Sequence, residues 1–176
     1  AQASTTYTIA AGDKFITATS GNATINMPVA QGNVVTNATF YNFFDENGIL
    51  LDNVTFDELI FQGEFSDLVD IIVIPDDITL TGDNAVLNNI ALSIIGDDVT
   101  VNGFTINEND ANFTNNGGAA IYVSGSDVTL DNISVTYNAP INVEAKAIFA
   151  NGADNFKLTN SEIIFTGTNP GENHCR

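Results

Sequence analysis

A phrase recurs four times in the second half of this sequence: Asp77-ITLTG, Asp98-VTVNG, Asp127-VTLDN and, more loosely, Asn155-FKLTN, with starts 21, 29 and 28 residues apart. Self-similarity at such a period marks a repeat architecture, in which one supersecondary unit stacks on the next and none can bury its own apolar face alone. The unit itself therefore decides the fold.

In the two clearest copies the apolar positions are Val99, Val101, Phe104 and Ile106, then Val128, Leu130, Ile133 and Val135. Steps of two keep side chains on one face of a strand, and the intervening step of three lets the chain turn a corner and point inward again. The corner holds Gly82, Gly103, Asn132 and Asn160, residue types that enter the left-handed backbone region at least cost. Ahead of three phrases lies another apolar strand closed by glycine: Leu92-SIIG, Ile121-YVSG and Ile148-FANG. About three short strands per repeat of roughly twenty residues plus loops describe a parallel β-helix, a solenoid with a column of Val, Ile, Leu and Phe inside. Thr55 and Glu58 form a capping box before Leu59-IF, but that run meets Gly63 within two turns, too soon for a helix of ordinary length. Leu59-IFQG and Ile71-IVI are expected to be strands of an earlier repeat, with Pro75 at the corner that follows.

The chain of 176 residues is 44% hydrophobic, one domain by size and long enough for a sizeable core. Its 22 acidic residues face four basic ones, for a formal net charge of −18. That charge repels nucleic acid and anionic membrane surfaces, so neither is expected as a partner. No apolar run approaches the length of a membrane span, and membrane insertion is not expected. A single cysteine, Cys175, excludes an intramolecular disulfide. Low lysine with abundant Asn, Thr and Asp suits an exported protein. Five N-x-S/T sequons occur, at Asn22, Asn37, Asn53, Asn112 and Asn132, where chance in so Asn- and Thr-rich a chain gives roughly four.

Residues 1–44 lack the phrase and alternate like short strands: Tyr7-TIA, Phe15-ITAT, Ala23-TINM and Val34-VTNATF. An open parallel sheet end exposes core and unpaired backbone groups, so this segment is the candidate N-terminal β cap, with an independent small β domain as the alternative. Residues 45–170 hold the β-helix repeats. Residues 171–176, Gly171-ENHCR, carry no amphipathic helix or charged strand to cover the last repeat, and are expected to be a frayed tail or the point of a cut.

The repeats, with the stretch Phe40-YNFFDENGILLDNVTFDELIFQGEF and the phrase Asp98-VTVNGFTI, resemble the adhesin-like proteins of methanogenic archaea. Those are long secreted or wall-attached chains with many right-handed parallel β-helix repeats of the pectate-lyase-like type. The resemblance covers roughly residues 40–170. It implies an all-β, right-handed parallel β-helix in an extracellular protein of the cell surface or cell wall. The implied partner is a glycan or protein of another cell, or a further copy through self-association in a wall, sheath or filament.

That fold also carries polysaccharide lyases and hydrolases, so catalysis must be weighed. A hydrolase needs two carboxylates at a set separation, and a lyase needs a strong base beside a cation-bound acidic sugar. The pair Asp97-Asp98 resembles the paired aspartates of β-helix galacturonases, but the His-Gly and Arg-x-Lys that accompany them there are absent. The lone histidine and arginine, His174 and Arg176, sit in the tail, and Lys14, Lys146 and Lys157 are scattered. No catalytic residue and no organic cofactor is expected.

Two other features bear on binding. In register, Asp77, Asp98 and Asp127 form an axial row that either accepts hydrogen bonds within its own turns or holds a cation such as Ca²⁺ between its carboxylates. His174-Cys175 offers half a metal site with nothing nearby to complete it. The insertions Asn107-ENDANFTNNGG and Asn138-APINVE occupy equivalent places in successive repeats and should emerge on one side. Loops presented on one face of a repeat protein are where binding concentrates, which makes Asn107, Asp110, Asn112, Asn115, Asn138 and Asn142 the candidate binding residues.

Overall fold

The computed structural model describes residues 5–10, 15–20, 23–28, 40, 43–52, 56–66, 68–141 and 143–167, and they are all-β. Three strands open the chain, β1 (Thr5–Ala10), β2 (Phe15–Ser20) and β3 (Ala23–Pro28). The remainder are β4 (Glu58–Phe65), β5 (Ile71–Ile74), β6 (Thr79–Asn88), β7 (Ala91–Ile94), β8 (Thr100–Asn109), β9 (Ala119–Val123), β10 (Thr129–Asp131), β11 (Ser134–Ala139), β12 (Lys146–Ala150), β13 (Lys157–Thr159) and β14 (Glu162–Gly167). Leu59-IFQG and Ile71-IVI are strands, as their spacing predicts. The Val34-VTNATF stretch lies outside the described residues.

Strands from successive repeats pair in parallel. The large sheet runs β13-β10-β8-β6-β4-β1-β2-β3, with β11 joined to β8 and β14, and a four-stranded sheet runs β12-β9-β7-β5. Among the described strands β2 pairs antiparallel with β1 and with β3, while β1 continues the parallel series onto β4. A parallel sheet requires the chain to travel back between strands. From β4 onward each return passes through the other sheet.

Register turns the sequence repeat into a packed interior. Leu59, Leu80, Val101, Leu130 and Leu158 stand opposite one another in successive strands. So do Phe65, Leu87, Ile106, Val135 and Ile163, and across the smaller sheet Ile72, Leu92, Ile121 and Ile148. Each fully buried member contributes roughly 1.5–3 kcal/mol by leaving water. The row expected at Val101, Leu130 and Leu158 exists, with Val101 and Leu130 fully buried and Leu158 40% exposed. Leu158 differs because its strand, β13, has a neighbour on one side among the described residues.

The corners follow the expected chemistry with one exception. Asn132 and Asn160 are left-handed at φ 52° and 50°, and Gly103 at 81°. Gly82 is not left-handed; Asn84, at φ 51°, takes that role, because this repeat carries two extra residues where the register shifts between Thr81 and Ala85. Gly82 is required by proximity instead, since a Cβ there would lie 2.4 Å from the Gly103 carbonyl oxygen. The three-strand repeat also needs correction. β6 and β8 run through the corner as single ten-residue strands, and only the later repeats break there, into β10 and β11 and into β13 and β14.

The Phe-Asp-Glu-Asn-Gly stretch closes one edge of the smaller sheet. The Asp45 carboxylate accepts the backbone N–H groups of Asn47 and Ile49 at 2.8 and 2.9 Å, and the Gly48 carbonyl accepts the Val73 N–H at 2.9 Å. Gly48 sits at φ 74°, so close to β5 that a Cβ would fall 1.8 Å from the Ile71 carbonyl oxygen. Phe43 and Phe44 from the same turn enter the core, with Phe44 stacked on Phe40 at 4.8 Å.

Candidate functional site

Both insertions leave the stack between the large and the small sheet, but later than the sequence suggests. Asn107 still belongs to β8 and Asn138 to β11. Asn138 bridges repeats, donating to the Asn109 side-chain oxygen at 2.9 Å and accepting from the Thr166 hydroxyl at 3.2 Å. Asn107 and Asn138 are therefore ladder residues. Asp110, at φ 53°, makes the bend out of β8, and Asn112 and Asn115 are exposed in the loop beyond it. Asn142 lies outside the described residues.

The insertions meet over the end of the smaller sheet. Between them opens a cleft of about 610 Å³, walled on one side by Asn112, Thr114, Gly117 and Gly118 and on the other by Val143, Glu144, Lys146 and Phe149. A short 3₁₀ turn, Thr114–Asn116, shapes the first wall. Asn116 anchors it by donating from its buried amide to the carbonyls of Leu92 and Ala119 at 3.0 and 2.9 Å. Gly117 and Gly118 then follow at φ 62° and 74°. No side chain fits at Gly118, where a Cβ would lie 2.4 Å from the Glu144 carbonyl oxygen, and a Cβ on the left-handed Gly117 would crowd the Phe149 ring at 3.1 Å.

Lys146, one of the three scattered lysines, is buried in the second wall. Its ammonium donates to Glu144 Oε1 at 2.6 Å and to the Gly117 carbonyl at 3.1 Å, and stands 4.8 Å from the centre of the Phe149 ring. The ring is also fixed by an edge contact with Tyr122 at 5.6 Å. Thr114 donates to the Asn112 side-chain oxygen at 2.7 Å. The cleft thus combines an aromatic ring, a neutralised ion pair and a rim of amide and hydroxyl groups.

Glu108 is the residue that sequence reasoning passes over. It points inward from β8 directly opposite Tyr137, is 1% exposed, and neither carboxyl oxygen has a hydrogen-bond partner among the described residues. Burial alone pushes its carboxyl up to about 8. Tyr137 is pushed up to about 12, first by burial and then by the neighbouring Glu108 charge. Its hydroxyl donates to the Ala111 carbonyl at 2.8 Å, which ties the first insertion to the core. The signal was present in the alternation Phe104, Ile106, Glu108, masked by the surrounding polar run.

Asp77, Asp98 and Asp127 stand in line as expected, all exposed and all left-handed, at φ 61°, 55° and 55°, followed by Asn155 at 56°. Their backbone N–H groups donate to the carbonyls of Asp97, Ser126 and Asp154 in the next repeat at 3.0, 3.0 and 2.9 Å. The carboxylate ladder runs one residue earlier, where Asp76 accepts the Asp97 N–H at 2.8 Å and Asp97 accepts the Ser126 N–H at 2.7 Å. Asp127 accepts from the Asn155 amide. Among the described residues no three His, Cys, Asp or Glu side chains converge as a metal site needs. His174 and Cys175 lie outside the described residues, and no described helix is long and apolar enough to cross a membrane.

Comparison with known proteins returns no match: no protein family fits the sequence, and neither a curated protein nor a solved structure is similar to it.

Proposed function

We propose that this chain is a right-handed parallel β-helix module of an extracellular adhesin-like protein, of the kind found in methanogenic archaea. It is non-catalytic, and it holds two loops on a rigid stack for attachment to a glycan or protein of another cell. The observation that carries the reading is the convergence of the two insertions, from consecutive repeats, on one cleft whose walls are fixed by Asn116, Gly118 and Lys146. Parallel pairing of equivalent strands from successive repeats supports the solenoid, and β1 to β3, added to the edge of β4, suit a cap. Rigid elements that present polar, aromatic-bearing loops bind surfaces without needing acid–base machinery.

The test is adherence. Purified monomer applied to arrays of microbial wall glycans and to whole cells is expected to bind saturably, with binding lost when residues 110–118 are replaced by a short Gly/Ser linker. Failure of the intact chain to bind any glycan or cell surface would reject the reading.

A second reading, a self-assembling component of a wall, sheath or filament, is favoured by Leu158, Ile163 and Ile164 on β13 and β14, the outer strands of the large sheet among the described residues, where they are 40, 40 and 46% exposed. Edge strands with apolar residues invite further strands. Concentration-dependent end-to-end association in sedimentation, abolished by Ile163→Lys, would support it.

A further inference from the structure

We infer that the cleft between the insertions takes a neutral pyranoside, with its C–H face against Phe149 and its hydroxyls on Glu144, Asn112 and Thr114. This deepens the attachment reading and rests on it.

The ligand class follows from what the cleft offers and what it repels. An anion meets the exposed Glu144 carboxylate beside a Lys146 ammonium that already donates to Glu144 at 2.6 Å and to the Gly117 carbonyl at 3.1 Å, in a chain of net charge −18. A metal ion finds no converging set of three acidic, His or Cys groups among the described residues. A cationic ligand meets the same ion pair from the other side, with the Glu144 charge balanced by Lys146. A purely apolar ligand would strip water from a carboxylate, an amide and a hydroxyl without replacing it. A neutral pyranose satisfies both halves, having an apolar C–H face for the ring and hydroxyls that donate to a carboxylate and accept from an amide.

Capacity and rigidity agree. At about 610 Å³ the cleft lies within the range of small-ligand sites. Glu144 lines the cleft and is 76% exposed in its side chain, so its carboxylate is accessible from the cleft. The Asn112 side-chain oxygen is occupied by Thr114, which orients the amide N–H₂ as the donor. The Phe149 ring is pinned by Tyr122 and Lys146 before any ligand arrives, and a preorganised platform loses less on binding.

The experiment is an NMR titration of the whole ¹⁵N-labelled chain with methyl glucoside, methyl galactoside, methyl mannoside and N-acetylglucosamine as neutral probes, and with glucuronate and glucosamine as charged ones. At least one neutral sugar is expected to bind saturably, with Kd on the order of millimolar, shifting the amides of Gly117, Gly118 and Phe149 and showing saturation transfer to its ring C–H protons. Phe149→Ala should weaken it about tenfold or more, and Glu144→Gln several-fold, while Thr129→Ala on the distant β10 leaves it unchanged. Should Phe149→Ala lose its folded spectrum, Phe149→Leu and the exposed Glu144→Gln carry the test. Preference for a charged sugar, or neutral-sugar binding that ignores both cleft variants, overturns the proposal. If glycan-array or cell binding persists in those variants, the attachment reading stands and the cleft is not its seat; if the intact chain binds nothing, the attachment reading falls first.

Discussion

Glu108 places an ionisable group where the neighbouring repeats put Tyr137 and Phe165. The folded chain holds this proton up to about pH 8, whereas an unfolded chain releases it near the ordinary value of 4.5. Between those values the folded state binds more protons at this site, so the stability Glu108 contributes is greatest below pH 4.5 and falls as pH rises toward 8. The group's share of that fall is roughly 3–5 kcal/mol, since each pH unit between the two values is worth about 1.4 kcal/mol. Urea unfolding at pH 5, 7 and 9 measures it. Glu108→Gln and Glu108→Met should flatten the curve, and Met should gain about 1–3 kcal/mol at pH 7 by removing an unsatisfied buried polar group. An unchanged slope in both variants would show that Glu108 reaches water. At the surface the opposite holds for Asp131, whose carboxyl is kept below its usual range by the Thr159 hydroxyl and then by the Asn160 amide.

Strand phase and corner geometry belong to the element. Leu130 is fully buried in β10 while Thr129 beside it faces outward and is only half-buried. Truncating Leu130 to Ala is expected to cost roughly 2–5 kcal/mol, against under about 0.5 for Thr129→Ala. Chemical denaturation decides it, and a larger loss at Thr129 would invert the face. At the turn between β10 and β11, Asn132 sits at φ 52° with its side chain exposed. Asn132→Gly should be nearly neutral and Asn132→Val should cost about 1–2 kcal/mol, because a β-branched residue is strained in that region. Equal midpoints for the two variants would mean that the corner relaxes.

For the whole molecule the question is how a charge of −18 is carried on stacked repeats. Part of it sits in side-chain ladders that pair acids with neutral donors: Gln62 to Asp83, Asn88 to Glu64, Thr81 to Glu58 and Thr159 to Asp131. At these positions an Asn, Gln or Thr of the adjacent repeat, rather than a second acid, stands beside the carboxylate. Self-repulsion remains, so added NaCl should raise the unfolding midpoint. Ca²⁺ at matched ionic strength is expected to raise it equally, since Asp77, Asp98 and Asp127 lie at turns with no third acidic group converging on them among the described residues. A larger calcium effect that disappears in Asp98→Asn with Asp127→Asn would place an ion in the row.

The sequence by itself determined most of the described strands, their inward residues and their parallel pairing. All three are written in local spacing: two residues per face, and one left-handed residue per corner at Asn132, Asn160 and Gly103. What it could not determine depends on which atoms meet across a separation of twenty to thirty residues. Asn115 and Asn116 read alike in the chain, yet only Asn116 reaches the carbonyls of Leu92 and Ala119. Lys146 reads as a stray surface charge until Gly117, 29 residues earlier, supplies the carbonyl that helps to bury it. Gly82 and Gly103 share a phrase position, but two inserted residues move the left-handed turn of the first to Asn84. Periodicity fixes direction and face through steric rules that every repeat obeys. The cleft and the buried Glu108 arise from departures from the repeat, and only the folded chain brings those departures together.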